Sequence, residues 1–146
     1  MPYRGSMART RRQPTDRVLV AGGAEDLPEI RRRLEDLPEN AYGQVFVEVA
    51  LDEQVCILPA PPRLTVTWLV RSTRGSLLPS LVLADHGELL AGALAGWAAE
   101  WCVPGCEPRT AVWVGLADSP WVERARSVLQ IELADAGQQV EVEYGG

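Results

Sequence analysis

Arg17-Val18-Leu19-Val20-Ala21-Gly22-Gly23, running on through Ala24-Glu25-Asp26 into Leu27-Pro28-Glu29, decides the fold of this chain. A short apolar strand, a glycine turn and a helix start, in that order, open the nucleotide-binding half of an α/β domain. The helix start follows from side-chain chemistry. Asp26 is placed to accept from a free N–H of the first turn, Pro28 tolerates that turn, and Glu29 completes a D-x-x-E capping box. The turn lacks the spacing G-x-G-x-x-G, and Glu25 and Asp26 stand where a pyrophosphate would sit.

Further strands and helices alternate along the chain. Gly43 to Val49, Leu64 to Val70, Thr110 to Val114 and Val140 to Tyr144 are short, apolar and β-branched, and are predicted as strands. Helices are predicted at Leu27–Asp36, Gly87–Trp101 and Pro120–Ala134, the last with Ser119 as its N-cap. Leu58 to Pro62 is a loop, and Leu77–Ala84 is open to either a short helix or an extended segment. Strands separated by helices pair in parallel through crossovers that cover both faces of a sheet. The expected fold class is therefore α/β, a Rossmann-like three-layer αβα domain with a five-stranded parallel sheet in the order 3-2-1-4-5.

The chain has 146 residues, 47% hydrophobic and 23% charged, which suits one domain with a sizeable core. Residues 17–146 are assigned to it and residues 1–16 to a basic flexible leader. Arg4, Arg9, Arg11, Arg12 and Arg17 against Asp16 make the first 17 residues +4, so the net charge of −6 leaves −10 for the rest. An acidic body argues against nucleic acid as the partner. No apolar run approaches the ~20 residues of a membrane span, and the basic start is followed by no apolar core of a signal peptide, so a cytoplasmic address is expected by default. Cys56, Cys102 and Cys106 are too few and too unevenly placed for a disulfide framework.

In such a fold the ligand cleft lies at the carboxyl ends of the strands. The candidate cofactor-binding residues are Gly22 and Gly23 after the first strand, Arg71 and Arg74 after the third, and Gly115, Asp118 and Ser119 after the fourth. The helix starts at Asp26 and Ser119 present positive dipole ends there, and the two arginines suit a phosphate. No catalytic constellation appears, since neither Cys102 nor Ser119 has an adjacent base. No metal motif appears either: His86 is the sole histidine and is placed at a helix entrance, and Cys102 and Cys106 lack two further ligands. Trp68, Trp97, Trp101 and Trp113 read as core, whereas Trp121 stands beside the cleft.

Taken in order, several segments resemble one family. They are Val18 to Gly22 (V-L-V-A-G), Leu27 to Ile30 (L-P-E-I), Leu34 to Ala50 (L-E-D-L-P-E-N-A-Y-G-Q-V-F-V-E-V-A), Leu58 to Pro62 (L-P-A-P-P), Val66 to Arg71 (V-T-W-L-V-R), His86 to Leu94 (H-G-E-L-L-A-G-A-L) and Ala111 to Gly115 (A-V-W-V-G). The order is similar to the C-terminal, nicotinamide-binding domain of siderophore-interacting proteins, flavin-dependent ferric-siderophore reductases related to ferredoxin reductases. The resemblance runs from Arg17 to about Tyr144. It implies an oxidoreductase role in iron uptake, with NAD(P)H as the cofactor held here.

The departures bear on that role. The family's flavin-binding barrel, with its Arg-x-Tyr-Thr motif, has no counterpart in the 16 residues before Arg17, so no FAD is expected on this chain. Leu116 stands where the family carries an acid, Val70 replaces the first of a basic pair, and the family's Tyr-Trp-Arg tail is absent after Tyr144. Two functions follow from the resemblance. One is a stand-alone NAD(P)H-binding part of a reductase, holding the nucleotide weakly and working with a flavin domain supplied separately. The other is a non-catalytic docking module of the same fold. The cleft discriminates them, because carboxylates or large side chains filling it favour the module. A flavin-domain protein or a homodimer is the expected partner, docking on a patch with Val70, Leu116, Trp121 and Tyr144.

Overall fold

The structure, a computed structural model, describes residues 17–72, 84–102, 110–135 and the backbone of 140–144. The proposed leader, Arg74, Cys106 and most of the ambiguous stretch Leu77–Ala84 lie outside the described residues. In chain order the elements are β1 (Arg17–Gly23), α1 (Leu27–Glu35), β2 (Tyr42–Val49), β3 (Arg63–Val70), α2 (Glu88–Trp101), β4 (Thr110–Val114), α3 (Pro120–Asp135) and β5 (Val140–Tyr144). The fold is α/β with a parallel sheet. Its body runs β3-β2-β1-β4, and β5 is hydrogen-bonded in parallel along the outer edge of β4.

Period-two alternation sorts β1 between two cores. Val18 and Val20 point to one side with Val45, Val47 and Val49 of β2, where Ile30 and Leu34 of α1 cover them. Leu19 and Ala21 point to the other with Val112 and Val114 of β4, under Leu90, Leu94 and Trp97 of α2 and Val122, Leu129 and Leu133 of α3. Helices thus lie on both faces, but unevenly, one against two. Trp97 and Trp113 are buried in these cores, and Trp68 and Trp101 pack against them, consistent with a structural use of those rings.

At the amino end of the sheet, Arg17 is almost wholly buried yet satisfied. Its guanidinium donates to Thr110 Oγ1 across the β1–β4 ladder and stacks over the rings of Trp97 and Trp101 at 5.0 and 5.5 Å. The strand order reverses beside β1, because the chain leaves β1 toward β2 on one side and returns through β4 on the other. The loops after β1 and β4 therefore lead away from each other over their carboxyl ends, where the ligand crevice of this fold class lies.

Candidate functional site

The crevice is floored by glycine and closed by one carboxylate. Asp26 Oδ2 accepts from the backbone N–H of Gly23 at 2.9 Å and from that of Leu116 at 3.0 Å, tying the loop after β1 to the loop after β4. Gly22 and Gly115 leave room for it, since a Cβ on Gly115 would overlap the Asp26 carboxylate. This corrects the expected capping box. Asp26 makes no side-chain hydrogen bond to the start of α1, and Glu29 is drawn instead to Arg32 and Arg33 one turn on. The hydrogen bond from Arg32 holds the Glu29 carboxyl below the usual carboxylate range. Leu116 has φ 52°, the sole positive φ of a non-glycine among the described residues, and so stores strain at the mouth of the crevice.

A second carboxylate occupies the next anion-binding position. Glu48, buried in the middle of the sheet, accepts from the N–H of Gly87 at 2.7 Å and of Leu90 at 2.9 Å, the free donors of the first turn of α2. Arg71, at the end of β3, lies with its Nε 3.6 Å from Glu48 Oε2 and points Nη1 toward the Ala84 carbonyl. The N-terminus of α3 is closed as well. Ser119 Oγ accepts from the Val122 N–H and donates to the His86 carbonyl, which fits its expected N-cap position.

Of the sequence candidates, Gly22, Gly23 and Gly115 converge on Asp26, and Ser119 packs against the turn at Gly87. Arg71 joins through Glu48. Asp118 lies on the outer rim beside His86, and Arg74 is outside the described residues. The expected apolar docking patch is not formed as drawn. Leu116 is buried, packed into the core of β4, α2 and α3 beside Gly23, while Val70 and Trp121 are half-buried. The Trp121 indole N–H reaches Asp85 Oδ2, and Arg124 lies over its ring. For Tyr144 only the backbone is described. Exposed large apolar side chains occur instead at Leu51, Val55 and Ile57 after β2 and at Val128 and Ile131 on α3.

Cys56 is exposed, whereas Cys102 is half-buried and burial pushes its thiol pKa up, partly countered by Arg17. Because the thiolate is the nucleophile, iodoacetamide near neutral pH is expected to label Cys56 roughly tenfold faster than Cys102. Peptide mass mapping against time checks this; equal rates would mean that the end of α2 opens to solvent.

Glu48 was absent from the sequence candidates although it left a signal. A carboxylate inside the continuous apolar run V-F-V-E-V, in a strand covered on both faces, has to be buried and therefore paired. The role of Asp26 left none, since its two partners are fixed only when β1 and β4 lie side by side.

A parallel sheet with a strand-order reversal and glycines at its carboxyl ends defines a Rossmann-like α/β domain. The family model for siderophore-interacting proteins matches residues 15–143, and the chain belongs to that family. Among curated proteins it is 38% identical over 72 residues to uncharacterized proteins of Mycobacterium tuberculosis and Mycobacterium bovis, covering 49% of this chain and 25% of theirs. Among solved structures it is similar to a siderophore utilization protein from T. fusca, with a TM-score of 0.62 and 28% identity over 90% of this chain and 44% of that one. The fold is shared with the siderophore-interacting protein SipS from Aeromonas hydrophila, at a TM-score of 0.54 and 18% identity over 92% of this chain and 53% of the other. The chain thus spans about half the length of these solved relatives, and its matched segment covers a quarter of the curated ones. No helix among the described residues is long and apolar enough to cross a membrane.

Proposed function

We propose that this domain serves siderophore utilisation as a docking module, a fixed α/β body presented to a partner that carries the redox chemistry, and that its crevice holds no dinucleotide while Asp26 occupies it. The observation that carries this reading is the Asp26 carboxylate on the Gly23 and Leu116 N–H groups. A diphosphate needs those donors and a positive field, and here a negative charge of the chain's own already uses them. The other donors nearby are committed too: Glu48 takes the start of α2 and faces Arg71, and Ser119 caps α3. The partner we propose is a flavin-bearing domain, joined to this one or separate, because the chain covers 44% and 53% of its solved relatives and the family it belongs to pairs this kind of domain with a flavin-binding barrel, which would carry the redox chemistry.

A second reading is favoured by the glycine floor itself. Gly22 and Gly115 leave the space a dinucleotide would use if Asp26 swung out, while Leu116 covers Gly23; Arg71 stands after β3, two strands from β1. Titration calorimetry with NADPH and NADH separates the two. The docking module predicts no saturable binding to the wild-type chain at millimolar nucleotide. It also predicts a gain on Asp26→Ala of roughly ten- to a hundred-fold, the worth of one or two charge-assisted hydrogen bonds. Micromolar binding to the wild type, lost in Arg71→Ala, would overturn it in favour of an NAD(P)H-holding half of a reductase.

A further inference from the structure

We infer that Glu25, His86 and Asp118 form a binding site for a divalent first-row transition-metal ion on the rim of the crevice. The three residues come from three separate turns: Glu25 from the turn after β1, His86 from the turn before α2, and Asp118 from the turn between β4 and α3. Their ligand atoms all lie within 4.8 Å of one another. His86 Nε2 is 3.5 Å from Asp118 Oδ1 and 3.9 Å from Glu25 Oε2. Two donors each about 2.1 Å from a common ion stand about 3.4 Å apart at a tetrahedral angle and up to about 4.2 Å when opposite. Both imidazole–carboxylate separations fall in that range and the two carboxylates lie within 4.8 Å of each other, so movements of about 1.5 Å or less by exposed side chains bring all three donors onto one ion. One imidazole nitrogen with two carboxylate oxygens suits borderline divalent ions of the zinc, cobalt and manganese kind, and three protein ligands leave positions open for water or a further group.

Two features outside the triad favour a ligand set over a chance meeting of surface charges. First, the turns that carry it are cross-linked. Asp26 joins the backbone of the Glu25 turn to that of the Asp118 turn, and Ser119 Oγ holds the carbonyl of His86 itself. Preorganised ligands lose less freedom on binding. Second, the local charge is uncompensated. With His86 neutral the triad carries two negative charges, and among the described residues the sole basic group paired with either carboxylate is that imidazole. A dication supplies what is missing. The donors are far apart in sequence, so no motif spacing announces them, and the arrangement rests on Asp26 staying in place, as the proposed docking module has it.

His86 is the sole histidine of the chain, so its ring proton signals in an NMR spectrum of tag-free protein report on this site alone. Titration with Zn2+ is expected to shift them saturably at one equivalent. Glu25→Gln and Asp118→Asn are each expected to weaken the half-saturation point about tenfold or more, with backbone amide spectra confirming an intact fold. Signals unmoved at millimolar Zn2+ would overturn the site. So would an equal shift in the wild type and in the Glu25→Gln/Asp118→Asn double variant, which would mark a lone imidazole binding zinc by itself.

Discussion

Replacing Glu48 with alanine is expected to destabilise the domain by about 3 kcal/mol or more, lowering Tm by roughly 10 °C for a chain of this length. The side chain is buried, and its two oxygens take the N–H groups of Gly87 and Leu90 at 2.7 and 2.9 Å. Alanine leaves both donors buried without an acceptor, so two groups are stranded by one substitution, and the Arg71 guanidinium keeps the Ala84 carbonyl but loses its counter-charge. Glu48→Gln keeps one acceptor oxygen and removes the charge, and a loss of about half that size is expected. Thermal and urea denaturation followed by circular dichroism measure both. A change under about 1 kcal/mol for the alanine variant would mean that α2 does not depend on this carboxylate at its N-terminus.

Gly43→Ala is expected to be as damaging, for a backbone reason. Gly43 has φ +144°, where side chains are strained, and a Cβ there would overlap the carbonyl oxygen of Val18, its neighbour in the β1–β2 ladder. The overlapping atom is backbone in the central pair of the sheet, so relief requires the amino ends of β1 and β2 to part. A loss of about 3 kcal/mol or more follows. Gly92→Ala and Gly96→Ala on α2 make the contrast, because a Cβ at either position meets nothing within 4 Å. Both are expected to stabilise by about 0.5–1 kcal/mol through helix propensity. If Gly43→Ala melted with the helix variants, the close approach of β1 and β2 would not be as described.

Glu48 and Asp26 share a consequence for function. A Rossmann-like sheet offers anion-binding positions where helix N-termini and loop N–H groups gather at the strand ends. Here acidic side chains of the chain sit on two of them. An internal carboxylate ties secondary structure together as a phosphate would, yet it needs no ligand, so the fold holds its loops in place by itself. That fits a domain whose loops meet a partner.

The sequence by itself determined the order of strands and helices, because each signal is local. The apolar run Val18 to Ala21, the glycines after it, Pro28 in the first turn of α1 and Ser119-Pro120 at the start of α3 act within a few residues of one another. Membership of the family was legible for the same reason, being an ordered set of short segments. The candidate site was legible only as a place. Gly22, Gly23 and Gly115 marked the crevice, but what fills it was decided by tertiary structure. Asp26 obeys the local rule for a helix cap in the sequence, and in the fold it leaves that role for two N–H groups, one of them on a loop 90 residues away. Leu116, expected on the surface, turns inward: its N–H meets that carboxylate, its backbone takes φ 52°, and its side chain fills the space over Gly23. Local propensities are worth tenths of a kcal/mol to about one, whereas a partly buried carboxylate accepting two N–H groups gains about 1.5–3 kcal/mol from each, so for Asp26 the long-range pairing prevails over the cap.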